Sequence, residues 1–175
     1  MESGDSGLPA AGTLAIGELR LGVKAARLIQ EAQRIAERTQ DFFKTKGAGA
    51  GDLATNAFMN GLRQAARQAF DCNFSEAKIC GKNNFTLDFY FPDEETAVEF
   101  AFSLSKPISE FERDIFKCLL AQHNGQIVRK LVLVGKPGAL KRIASPGPRA
   151  IIEWVRSQHS LDVQVRELLP PDDSH

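Results

Sequence analysis

Two apolar alternations set close together organise the middle of this chain. Phe85-Thr86-Leu87-Asp88-Phe89-Tyr90-Phe91 puts Phe85, Leu87, Phe89 and Phe91 on one side and Thr86, Asp88 and Tyr90 on the other. The run from Ala97 to Leu104 separates Val98, Phe100, Phe102 and Leu104 from Ala97, Glu99, Ala101 and Ser103. A period of two is that of a strand with one buried face. Paired as a hairpin, the apolar faces coincide only when paired residue numbers sum to an odd value, because a one-residue slip turns a strand over. A four-residue loop, Pro92 to Glu95, meets this condition, pairs Phe91 with Thr96 and sets Asp88 directly opposite Glu99. A six-residue loop also meets it and leaves the two acids diagonal neighbours. Facing carboxylates are destabilising unless something positive lies between them. A divalent metal would serve, and the alternative is a pair of solvated acids on the wet face of the hairpin.

Elsewhere the apolar period lengthens to that of a helix. Leu19 to about Lys44 predicts a long helix with Leu21, Ala25, Leu28, Ala32, Ile35 and Ala36 inward. A second runs from about Leu53 to Phe70, with Phe58, Leu62, Ala65, Ala66 and Ala69 inward. The glycine-rich break between them, Lys46 to Gly51, is not a phosphate loop, since no closing Lys and Ser/Thr follow and no strand precedes it. Ala77 to Cys80 suits a short strand. After the hairpin, Pro107 and the Ser109/Glu112 spacing open a helix to about His123, with Ile108, Phe111, Ile115, Cys118, Leu119 and Gln122 as its stripe. Val128 to Val134 is a β-branched strand for the sheet centre. Arg149 to Gln158 forms a last helix after the Pro146-Gly147-Pro148 breaker, and Leu161 to Leu168 a closing strand. On that last helix Ile151, Ile152, Trp154 and Val155 suit core packing or a homodimer seam. The element order predicts an α/β (α+β) fold, a mixed central β-sheet flanked by helices. The domain reading is a disordered lead-in over 1–17, a single domain over 18–169 and a flexible tail over 170–175.

Composition changes this picture little. At 175 residues, 43% hydrophobic and 25% charged, the chain has the make-up of one ordinary globular domain. A formal net charge of zero gives no general attraction to polyanions. The distribution is uneven, however. Asp88 to Glu112 holds seven acidic residues and one basic, whereas Arg113 to Arg156 holds nine basic and two acidic. An acidic segment followed by a basic one suits a metal site beside a phosphate-binding surface. Three cysteines without metal-ligand spacing, and no export signal in Met1 to Thr13, predict reduced thiols in a cytoplasmic protein. No apolar run approaches the ~18 residues that span a bilayer.

The element order and these residues together resemble the PD-(D/E)xK nuclease superfamily, in its type II restriction endonuclease branch, over roughly Ala77 to Val134. Asp88 matches the family's aspartate, and Glu99-Phe100-Ala101 stands where the family carries Glu-x-Lys. The passage from Val98-Glu99-Phe100 through Phe111-Glu112-Arg113-Asp114-Ile115-Phe116-Lys117 looks like the strand-to-helix passage of some of those enzymes. The resemblance implies a restriction endonuclease-like core and Mg²⁺-dependent hydrolysis of DNA, with Asp88 and Glu99 holding the metal. Hard carboxylate oxygens suit Mg²⁺, which keeps waters for substrate and nucleophile. Ala101 departs from the pattern, having neither charge nor donor. The resemblance therefore points to a lysine moved to the neighbouring helix, Lys117 first and Lys106 behind it, with Glu31 as a possible extra ligand. Arg129, Lys130, Lys136, Lys141, Arg142 and Arg149 would contact DNA phosphates. Ala101 also supports the alternative, a catalytically inactive nuclease-fold module that binds DNA or a protein.

Overall fold

The structure is a computed structural model, and it describes residues 21–44, 53–102 and 109–171. Its centre is the hairpin. Strands β2 (Leu87–Phe91) and β3 (Thr96–Phe100) pair antiparallel through Phe89↔Val98, Tyr90↔Ala97 and Phe91↔Thr96, the register of the four-residue loop. That loop is a single 3₁₀ turn, Pro92–Glu94, with Pro92 in its first turn and Glu95 closing it in the left-handed region at φ 50°.

Strand β1 (Ser75–Ala77) extends the sheet antiparallel beyond β2. Strands β4 (Lys130–Gly135) and β5 (Asp162–Glu167) add in parallel on the other side, giving the order β1-β2-β3-β4-β5. Parallel neighbours need crossovers. Helix α3 (Ser109–His123) connects β3 to β4, and helices α4 (Ala139–Ile143) and α5 (Pro146–His159) connect β4 to β5. Helices α1 (Val23–Arg38) and α2 (Leu53–Phe70) cover the opposite face.

The sheet therefore has a core on each side. Leu28, Ala32, Phe58 and Leu62 pack with Phe89, Phe91, Val98 and Val132 on one face. Phe111, Ile115 and Cys118 pack with Tyr90, Ala97, Ala101, Leu131 and Leu133 on the other. This corrects the wet face expected for the hairpin: a crossover helix covers it, as parallel strands require. On the α1–α2 side Phe58 lies 4.6 Å from Phe42, 5.6 Å from Phe100 and 5.3 Å from Phe102, ring centre to ring centre. Glu94 anchors α1 on the hairpin turn, accepting the Lys24 N–H at 2.6 Å and the Ala25 N–H at 3.1 Å. These are first-turn donors with no carbonyl partner inside a helix.

Other expectations shift. The first helix ends at Arg38, and the short strand lies at Ser75–Ala77 instead of Ala77–Cys80. Pro146-Gly147-Pro148 is the first turn of α5, where proline's missing N–H costs nothing. Helix α4 was not expected; Glu167 accepts the Gly138 and Leu140 N–H groups at its start, at 3.0 and 2.8 Å. The 1–17 lead-in, the glycine-rich break, Lys106, Pro107 and the tail beyond residue 171 lie outside the described residues. Among the described residues no helix is long and apolar enough to cross a membrane.

Phe58 joins α2 through three rings to the segment after α1, to β3 and to Phe102 just past it, so Phe58→Ala should cost about 3–5 kcal/mol. Urea denaturation measures this; a loss below about 1 kcal/mol would show that α2 does not pack as described.

Candidate active site

The β2–β3 ladder stops at Phe89↔Val98, and Asp88 and Glu99 stand at the step where the strands part. Beyond it, β2 continues against β1 through Ala77↔Leu87, while β3 continues against β4 through Phe100↔Val134. Backbone groups at such an opening still need partners. The two acids supply them: Glu99 Oε1 accepts the Asp88 N–H at 3.3 Å, and Asp88 Oδ2 accepts the Phe100 N–H at 2.9 Å. The paired acids expected from strand parity are therefore neighbours at the mouth of a splayed hairpin. Asp88 is half-buried, and Glu99 is only 2% exposed.

Helix α3 brings the remaining charges. Asp114 and Lys117 sit one turn apart on its packed side, among Phe111, Ile115 and Cys118, and both are buried. Lys117 Nζ donates to Glu99 Oε2 at 3.0 Å and lies 2.9 Å from Asp114 Oδ1. The second contact is an ion pair off the hydrogen-bonding direction, since that oxygen has no aligned donor. Ala101, two residues past Glu99 on the same face, is buried in the apolar core, and the ammonium reaches Glu99 from the helix instead. Cys80 ties the preceding loop to α3, its thiol donating to the Lys117 carbonyl at 3.4 Å.

Lys117 pairs with Glu99 and Asp114, and Asp88 lies beside Glu99, so the three carboxylates and one ammonium leave two negative charges when all are ionised. Burial, then Asp88 and Asp114, push the Glu99 carboxyl well above the usual carboxylate range, against the opposing pull of Lys117. Burial also raises Asp114, to about 6, with Lys117 opposing. For Lys117 burial pulls downward, but Glu99 and Asp114 outweigh it and hold the ammonium above the ordinary lysine range. This excess of negative charge suits a cation. Among the described residues no group of three or more His, Cys, Asp or Glu is arranged to hold a metal. Asp88 and Glu99 are the two carboxylates that meet at the opening and that a cation there would reach.

The other candidates are scattered. Glu31 lies on α1, across the sheet from Lys117, and pairs with Arg34 at 2.7 Å, so it is not a ligand of this site. Arg129 pairs with Glu95 at 2.7 Å, and Lys130 is in register with Thr96, both at the end of the sheet away from Glu99. Lys136 follows β4 at the Glu99 end, its ammonium 4.4 Å from the Phe42 ring centre. Lys141 and Arg142 are exposed on α4, and Arg149, in the first turn of α5, pairs with Glu153 at 3.0 Å. Ile151, Ile152 and Val155 pack against the core, while Trp154 is exposed beside His159. Asp114 was not foreseen, although an acid three residues after Phe111, inside an apolar stripe, was a readable signal. No family model, no curated protein and no solved structure matches the chain.

The raised carboxyls make stability depend on pH. Asp114 has an ordinary value of 3.8 and a folded value of about 6, and Glu99 moves in the same direction. The native state then holds more protons than the unfolded chain across that interval. The contribution is full below 3.8 and lost as pH rises through about 6. Glu99→Gln, which mimics the protonated acid, should raise the melting temperature at about pH 8 in chelator-treated buffer, and the gain should shrink toward about pH 4. A variant that melts below the wild type at the higher pH would contradict this electrostatic account.

Proposed function

We propose that the chain is a Mg²⁺-dependent DNA endonuclease of restriction-enzyme type, built on a restriction endonuclease-like core and hydrolysing phosphodiester bonds with water. The observation that carries this reading is the 3.0 Å contact between Lys117 and Glu99. It supplies, from α3, the ammonium that Glu99-Phe100-Ala101 lacks. Asp88 and Glu99 would hold the metal. A bound Mg²⁺ supplies an acidified water and offsets charge developing on the phosphate. Lys117 keeps its proton at neutral pH, because its two acids hold it above the ordinary lysine range. Its part is therefore to donate a hydrogen bond that orients the attacking water and to stabilise developing negative charge, not to remove a proton.

Lys136, Lys141, Arg142 and Arg149 follow β4 from its Glu99 end and suit phosphate contacts, which position DNA without reading its sequence. Cutting both strands of a duplex favours a homodimer with two-fold symmetry. Three free thiols, two of them buried, suit the reducing cytoplasm. The second reading, an inactive nuclease-fold module that binds DNA or a protein, draws support from the near-complete burial of Glu99 and Lys117.

A plasmid-nicking assay with calorimetry separates the two. Asp88→Ala and Glu99→Ala should each abolish cleavage and Mg²⁺ binding. Lys117→Ala should keep the metal and lose roughly 100-fold or more in rate. Cleavage that survives in either acid variant would end the nuclease reading. Salt-dependent DNA binding by a wild type that never cuts would transfer the assignment to the inactive module.

A further inference from the structure

Asp114 occupies a position that an apolar residue would fill at lower cost. It is 3% exposed on the packed side of α3, between Phe111 and Cys118, and acids are seldom buried so fully without a partner. Its partner is Lys117, 2.9 Å away, which Glu99 already engages from the sheet at 3.0 Å. The exposed Arg113 touches the same Asp114 oxygen only at 3.9 Å, from the solvent side, where the interaction is screened.

The arithmetic of charge then decides what Asp114 does. Without it, Lys117 and Glu99 form a neutral pair, and Asp88 alone faces an incoming cation. With it, the ammonium is divided between two carboxylates, and the cluster carries two negative charges when every carboxyl is ionised. The spacing of one helical turn also restrains the four-carbon lysine stem, which otherwise samples many rotamers.

We infer that Asp114 is a positioning residue that shares Lys117 with Glu99, holding the ammonium against the strand and adding its own negative charge at the opening for a divalent cation. The inference deepens the nuclease reading and rests on it where cleavage is concerned, but cation binding tests it separately. The probe is Mn²⁺ alone, titrated into the full chain and followed by electron paramagnetic resonance. Asp114→Asn should weaken Mn²⁺ binding roughly tenfold or more, since it removes one charge from a buried site. Lys117→Met should tighten it. The double variant restores the charge balance, so its affinity should return to within about threefold of wild type while cleavage stays lost.

A merely structural Asp114 gives a different pattern, because removing both partners would leave the double variant no better than Asp114→Asn. That result, or wild-type affinity in Asp114→Asn, overturns the inference. If Asp114→Asn does not fold, Lys117→Met decides the matter, and unchanged or weaker binding there overturns it. A wild type that shows the full Mn²⁺ pattern but cuts no DNA sustains the role of Asp114 and removes the nuclease reading. A wild type that binds no Mn²⁺ removes both.

Discussion

One ammonium held between a strand and a helix governs this side of the protein. Lys117 bridges Glu99 of β3 and Asp114 of its own helix, all three buried. A charge so placed is expensive to desolvate, and Coulomb attraction offsets that cost only when the geometry is good and the groups stay paired. Removing the lysine would leave two uncompensated carboxylates inside the fold. The docking of α3 on the sheet is therefore tied to a particular helix register, in which position 117 falls over position 99.

The two faces of the sheet use opposite physics. On the α1–α2 face, phenylalanine rings from α2, the segment after α1 and the β3 end of the sheet meet stacked or edge to face and exclude polar groups. Such packing is stiff and favourable, and it fixes the hairpin from behind. On the α3 face an apolar layer of the same kind is interrupted by charges that an apolar set could replace with a gain in stability. Perturbed acids at an opening in a sheet are the arrangement expected where chemistry, not stability, sets the residue types.

The hairpin was legible because its alternation has period two and any slip of one residue would expose every phenylalanine. That parity alone brought Asp88 to Glu99. Lys117 could be named only through the family resemblance, since nothing in helical periodicity says which lysine will lie over a strand. Asp114 carries a mixed signal: its place in the apolar stripe points inward, while an acid three residues before a lysine on a helix has the spacing of a surface pair. The basic segment shows the opposite failure. Arg129 and Lys130 are close in sequence to Lys136, but β4 carries the chain across the sheet between them, so a single run of charge reaches two different ends. Proline at 146 and 148 was read as a stop, although the same residue type is equally suited to begin a helix.

The proposed nuclease reading requires a divalent cation where β2 and β3 part, bound by Asp88 and Glu99. Crystals soaked in Mn²⁺ and measured for anomalous scattering test it most directly. The account predicts one strong anomalous peak within about 2.5 Å of carboxylate oxygens of both residues. Anomalous density elsewhere on the molecule with none at that opening would contradict it.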